Sequence, residues 1–272
     1  MVNGFSPKTL AEALEIRASR DVVPYAGGTD LMVENRQNVT YLFLNRIPEL
    51  KNITVDEEYV RIGAGVTFTE ALESPLVPQL MKEAVSRIAA PAIRNAGTFG
   101  GNLGNGSAKA DSVLIEFVAD AKLRLVSLKG ERIIPVEKFY LGRKKLDLAA
   151  DELIAEILLP KTGPENYYYE KVGGRNALAI SRVSFAGILA VEDEKITNIA
   201  VAFGSVADTI LRFPEAEKVL LGKTLEEAKA LRGQFLAAYG EKLELKQGRV
   251  SAAYRKQVCL NLVEAFLNKF GI

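Results

Sequence analysis

Apolar residues at Leu10, Ala13 and Leu14, with Arg17 following at helical spacing, predict that the chain opens on a helix, with Ser6 as its cap and Pro7 in its first turn. Short runs rich in β-branched and aromatic residues then predict strands near 22–25, 39–44, 52–55 and 59–63. Thr67-Phe68-Thr69-Glu70 has the spacing of a capping box, and helices are expected near 68–74 and 76–88. Asp111 is placed to cap a helix carrying Val113, Leu114 and Phe117. A hairpin is expected from residues 123–126 and 133–134 around Lys129-Gly130. After the apolar pair Leu158-Leu159, the segment Pro160-Lys161-Thr162-Gly163-Pro164 breaks the pattern and predicts a domain boundary. Beyond it, apolar runs at 183–191 and 196–203 flank the charged turn 192–195, which reads as a β-rich half. A helical half follows, opened by a second capping box at Thr224 and Glu227 and closed by Val258, Leu262, Val263, Phe266 and Leu267 at helical spacing.

Composition narrows what such a chain can do. With 272 residues, 48% hydrophobic and 25% charged, it can bury a substantial core in two domains. Its formal charge of +1 supplies no broad cationic field, so nucleic acid is not expected as a partner. The first fifteen residues lack a basic stretch followed by an apolar one, and no apolar run is long enough to span a bilayer, so a cytoplasmic protein is expected, with no membrane partner. The absence of histidine excludes Ser-His-Asp and Cys-His nucleophile systems, imidazole proton transfer and histidine metal ligands within this chain. Cys259 is the single cysteine, which cannot hold an iron–sulfur cluster or form an internal disulfide; inside an amphipathic run, it reads as a small buried apolar residue. No catalytic residue and no metal ligand is assigned.

The candidate chemistry lies in two glycine segments. Arg94 to Asp111 reads RNAGTFGGNLGNGSAKAD, with five glycines in ten residues, and Tyr25-Ala26-Gly27-Gly28-Thr29-Asp30-Leu31 follows an apolar run directly. Without a Cβ, glycine lets backbone N–H groups approach an anion, so a polyphosphate is expected against these segments, with Gly100, Gly101 and Gly104 helping to form a cradle. Neither segment has the G-x-G-x-x-G dinucleotide pattern or the G-x-x-x-x-G-K-S/T phosphate loop.

Read together, AGGTDL at Ala26 to Leu31 and IRNAGTFGGN at Ile93 to Asn102, with Asp111 following, resemble the flavoprotein subunit of the molybdenum hydroxylases, the family of xanthine, carbon monoxide and nicotinate dehydrogenases. Glu152-Leu153-Ile154, Tyr169-Glu170-Lys171 and Ser251-Ala252-Ala253-Tyr254-Arg255 extend the resemblance over nearly the whole chain. It implies an α+β fold: a two-lobed FAD-binding domain of the vanillyl-alcohol-oxidase type over 1–162, with lobes of roughly 1–55 and 56–162, then a small α+β domain over 163–272 of the carbon monoxide dehydrogenase flavoprotein type. It implies FAD with its diphosphate across the glycine segments, contacted by the backbone of Gly27, Gly28, Gly100 and Gly101. The hydroxyls of Thr29 and Thr98, the amide of Asn102 and the carboxylate of Asp111 would bind its phosphate, sugar chain and hydroxyls. Tyr25, Ala26, Asp30, Leu31 and Phe99 complete the two segments, Ile154 would touch the ring, and Tyr169 and Lys171 would lie beside it.

Several of these residues also have a purely local reading. Thr29 and Asp30 can cap a short helix, Asn102 can brace its own turn and Asp111 can cap a helix. Tyr167-Tyr168-Tyr169 can be strand residues with alternating faces, and Lys171 a solvated charge. The chain departs from the family at Ser107-Ala108-Lys109-Ala110, where Ser-Pro is usual before the aspartate.

By resemblance, the chain would accept electrons from 2Fe–2S clusters in a small partner subunit, which receives them from molybdopterin in a large one, and pass them through FAD to NAD or another acceptor. Two other readings are a stand-alone flavin-dependent reductase and a non-catalytic nucleotide-binding assembly module.

Overall fold

Thr9 sets the start of the first helix, Leu10–Ser19: its hydroxyl accepts the N–H of Glu12, and the Glu12 carboxylate accepts the N–H of Lys8. This reciprocal pair satisfies N–H groups that a helix leaves open at its start, so the cap expected at Ser6 moves downstream. The computed structural model describes residues 3–34, 37–161, 166–245 and 250–272; residues 162–164 of the expected boundary lie outside them.

Residues Met1–Ser107 and Asp120–Thr162 form one compact unit. Among its described residues it holds two larger sheets and a two-stranded ribbon of Tyr140–Gly142 with Lys145–Leu146. Asn3–Phe5, Thr40–Phe43 and Val23–Tyr25 make a parallel sheet with Thr40–Phe43 in the middle, and Ala13 and Leu14 of the first helix join Leu42, Leu44 and Leu50 in its core. The second sheet is antiparallel, in the order Ile53–Val55, Tyr59–Gly63, Leu153–Pro160, Lys122–Ser127, Gly130–Pro135. Ile53–Val55 joins this sheet because it is one arm of a tight hairpin: Asp56 accepts the N–H groups of Glu58 at 2.9 Å and Tyr59 at 2.7 Å, closing the turn. The capping box at Thr67 and Glu70 opens the helix Phe68–Glu73 as expected.

Ala108–Ala119 and Gly163–Ile272 form the second unit. Its sheet is an antiparallel meander of Asn166–Val172, Val183–Glu192, Lys195–Gly204 and Leu211–Arg212. Alternation sorts the long strands into two buried faces. Val183, Phe185, Leu189, Ile199, Val201 and Phe203 enter one core with Phe235, Cys259, Val263 and Phe266 of the helices Leu225–Lys242 and Ala252–Lys269. Ala186, Ile188, Ala200 and Ala202 are small or slender residues at the alternate positions, and the helix Asp111–Val118 packs on these two strands. Although it lies between two stretches of the first unit in sequence, this helix is tied at both ends to the second. Ser205 donates its N–H to Ala108 at 2.7 Å, and Arg212, paired with Glu217, donates to the Phe117 carbonyl at 2.9 Å. Arg255, from the motif opening at Ser251, braces that first tie by donating to the carbonyls of Ser205 and Val206. Cys259 is fully buried, and burial pushes its thiol up to about 12.

Candidate cofactor-binding site

The strand Val23–Tyr25 delivers the first glycine segment to the edge of a cleft in the first unit. Gly28 has φ +69°, a conformation that glycine reaches without strain. Gly27 lies so close to the second segment that a Cβ there would overlap the Ala96 carbonyl and come within 3.1 Å of the Gly97 nitrogen. The bend then turns into the short helix Leu31–Glu34, with Gly28 accepting the N–H of Met32 at 3.0 Å. Among the described residues, no acceptor in the chain takes the N–H groups of residues 27–31. Successive amides around a residue of positive φ form a concavity suited to an anion.

The second segment is helical over Phe99–Gly104. Thr98 caps it, its hydroxyl accepting the Gly101 N–H at 3.0 Å while its own proton stays available for donation. Packing places glycines here: a Cβ on Gly100 would press into Ala64, whose carbonyl accepts the Gly100 N–H at 2.8 Å. Phe99 is the anchor beneath. Its ring is fully buried edge-on against Phe68 at 5.3 Å, and its N–H goes to Val66. Replacing Thr98 by alanine is expected to cost about 1 kcal/mol in thermal unfolding, and Thr98→Ser to restore most of it.

The cleft has a volume of about 300 Å³ and brings together Ala26, Gly27, Gly28, Thr29, Asp30, Leu31, Thr98, Gly100, Gly101, Asn102 and Ile154. A β-bulge between Ile154 and Glu156 re-aims the strand at the point where Ile154 reaches the cleft. Tyr25 does not line it; it packs edge-on against Tyr41 and Phe43, behind Gly28. Asp30 is not a side-chain helix cap but accepts a 2.6 Å hydrogen bond from the Asn105 amide, tying the two segments together. Arg17, Asn105 and Lys144 also line the cleft and were not singled out in the sequence. Asn105 lay inside the glycine-rich stretch and could have been read from it. Arg17 and Lys144 had no local signal, since each is brought in by a separate element. Unpartnered amides, two touching glycine segments and a cleft between them fit a dinucleotide diphosphate.

In the second unit, Asp111, Tyr169 and Lys171 form a buried cluster. Lys171 donates to Asp111 at 2.7 Å, both side chains being under a tenth exposed, and the Ser181 hydroxyl donates to the other carboxylate oxygen at 3.3 Å. Asp111 is therefore not the helix cap it was expected to be: Ala110 holds that position without a side-chain bond, and the carboxylate turns to Lys171. Nor is Lys171 a solvated charge. Burial pushes the Asp111 carboxyl above its ordinary range, and the Lys171 charge with the Ser181 hydrogen bond opposes that shift. Tyr169 is a buried strand residue opposite Ala186.

Residues 1–162 match the family described as the FAD binding domain in molybdopterin dehydrogenase, and residues 167–270 match the CO dehydrogenase flavoprotein C-terminal domain. The xanthine dehydrogenase FAD-binding subunit of Escherichia coli O157:H7 is 32% identical over 77% of this chain and 76% of its own length. The nicotinate dehydrogenase FAD-subunit of Eubacterium barkeri is 30% identical over 93% of this chain and 90% of its own. Carbon monoxide dehydrogenase from Hydrogenophaga pseudoflava superposes with a TM-score of 0.89 at 28% identity, covering 98% of this chain and 96% of that one.

Proposed function

Because the chain belongs to the FAD-binding flavoproteins of the molybdopterin dehydrogenases, we propose that it is the electron-transfer component of a cytoplasmic molybdenum hydroxylase. In this reading it receives electrons from 2Fe–2S clusters of a small partner subunit, supplied by a large molybdopterin subunit, and delivers them to NAD or another acceptor. The observation that carries it is the close packing of Gly27 on Ala96, which sets the unpartnered amides of residues 27–31 beside the Thr98-capped segment in one cleft.

FAD supplies reversible one- and two-electron exchange, which suits a step between single-electron clusters and a hydride acceptor. The chain's own residues bind and orient it. Amides of residues 27–31 would neutralise the diphosphate as oriented dipoles, an arrangement that calls for no cluster of arginines. Thr29, Thr98 and Asn102 would take the phosphate and sugar oxygens, and Ile154 would offer an apolar wall to the ring. In the second unit the Lys171 charge is balanced by Asp111. The relatives named above are themselves designated as FAD subunits.

Co-expression of the chain with the products of its neighbouring reading frames tests the proposal. The expected result is a yellow complex with one FAD per copy of this chain, an iron–sulfur chain and a molybdopterin chain, in which substrate reduces the flavin only when the iron–sulfur chain is present. A chain that takes up no FAD on reconstitution, or that reduces a substrate with NADPH unaided, contradicts it.

A further inference from the structure

The two glycine segments that flank the cleft of the first unit are joined at places of unequal strength. At one, Gly27 packs on the Ala96 carbonyl, backbone against backbone, with no rotamer by which either side can part. At the other, the ribbon of Tyr140–Gly142 with Lys145–Leu146 bridges the segments. Its base is fixed: Phe139 is fully buried and accepts the Asp147 N–H at 2.8 Å, and Arg132 holds the Asp147 carboxylate at 2.8 Å. Its body rests on the second segment. The Tyr140 hydroxyl donates to the Leu103 carbonyl at 3.3 Å, the Lys144 N–H donates to the Gly106 carbonyl at 3.3 Å, and a Cβ on Gly106 would come within 3.0 Å of Lys144 Cα. At its tip, Lys144 Nζ donates to the Glu34 carboxylate at 2.6 Å, and Glu34 ends the helix into which the bend over residues 27–31 turns.

These contacts make a closed circuit, from the first segment through Glu34, Lys144 and the ribbon to the second, and back through Gly27. Glu34 and Lys144 both line the cleft, as do Asp30 and Asn105, whose hydrogen bond is a further tie between the segments. A chain-like ligand threaded between the segments is enclosed, and the links that open most readily are those made by side chains. The ion pair is the more exposed of the two: the Lys144 side chain is 56% accessible and that of Glu34 26%. Such a pair adds little to stability and is weakened by salt, but it belongs to the state in which the circuit is closed. Opening requires both side-chain ties to part, so removing one raises the open fraction by the factor that tie contributed.

We propose that the ribbon is a strap across the cleft and that the Glu34–Lys144 pair is its latch, setting how fast a seated dinucleotide enters and leaves without itself binding it. This inference rests on the flavin reading of the cleft.

Exchange of bound FAD for excess isotopically labelled FAD on the full-length chain measures the release rate, and titration gives the dissociation constant. Lys144→Met and Glu34→Gln are each expected to speed release by about three- to fivefold and to leave the dissociation constant within about twofold, because a looser latch speeds entry and exit alike. Added salt should speed release from the wild type more than from Lys144→Met. The double variant Glu34→Lys with Lys144→Glu, which reverses the pair, is expected to return release to the wild-type rate. Misfolded protein lowers the amount of flavin bound but not the exchange rate of what is bound, so the readout survives a loss of stability. Unchanged release in both single variants overturns the latch, as does release that stays fast in the double variant. Faster release matched by an equal rise in the dissociation constant would make Lys144 a direct contact of the ligand, and overturns it as well. Wild-type protein that takes up no FAD has nothing to exchange; that result would overturn the flavin reading itself, and this inference with it.

Discussion

Gly27→Ala is expected to yield a chain that no longer retains FAD. The new methyl group would overlap the Ala96 carbonyl, which is backbone and has no rotamer by which to escape. Relief requires the bend over residues 26–31 to withdraw from the second glycine segment, and withdrawal misaligns the amides that face the diphosphate. Hydrogen bonds to a charged group contribute about 1.5–3 kcal/mol each. Losing two of them weakens FAD by about a hundredfold or more. The same substitution at Gly233 provides the control. There a Cβ would meet nothing within 4 Å, and the residue is inside the helix Leu225–Lys242 and does not line the cleft. Gly233→Ala is therefore expected to leave FAD affinity unchanged and to gain about 0.5–1 kcal/mol of stability from helix propensity. Flavin fluorescence titration of both variants, with ligand-free unfolding as a check on folding, separates the two effects. Retention of FAD by Gly27→Ala with wild-type affinity would show that contact between the segments does not shape the site.

The elements that could be read from the chain are those built from neighbours in sequence. Thr67 with Glu70 and Thr224 with Glu227 are capping boxes because their partners lie one turn apart. The hairpin of Val183–Glu192 and Lys195–Gly204 turns at Asp193 and Glu194, both at positive φ, within a charged segment that already marked it. The glycine segments were recognisable for the same reason, since backbone access to an anion is a local property of residue type. What escaped notice depends on distant partners. Glycine's low helix propensity gives no sign of the helix Phe99–Gly104, yet Thr98 caps it and Ala64 requires a glycine against it. Asp111 has the residue type of a cap, but Lys171, sixty residues later, takes its carboxylate. Arg17 is an ordinary basic residue at a helix end until Glu152, 135 positions away, places its carbonyl beside it. Association of the helix Asp111–Val118 with the second unit likewise rests on Ser205 and Arg212, which no pattern inside the helix announces.

The same helix carries Glu116, and replacing it by leucine is expected to stabilise the protein by about 3 kcal/mol near pH 7 while removing most of a pH slope. Glu116 is completely excluded from solvent, and neither of its carboxyl oxygens has a hydrogen-bond partner among the described residues. Burial pushes its pKa from 4.5 to about 8; Ser112, one turn earlier, opposes the shift from outside hydrogen-bonding geometry. The folded chain therefore keeps this proton at pH values where the unfolded chain has lost it. As pH rises from about 4.5 to about 8, the unfolded state is favoured progressively, by about 1.4 kcal/mol per pH unit, and above the folded pKa the penalty stays constant. Wild-type stability should accordingly fall across that window. Glu116→Leu should exceed it by a constant amount near the acid end, where the carboxyl is neutral in both states but still a buried polar group, and diverge further upward as pH increases. Glu116→Gln separates charge from polarity: an amide does not titrate, so the slope should vanish, but it remains a buried polar group with unmet hydrogen bonds, so the gain near neutrality should be smaller than leucine's. Urea unfolding of the three proteins across this range gives the comparison. Parallel curves would mean that Glu116 is ionised in the folded state over the whole window, with a partner that compensates its burial.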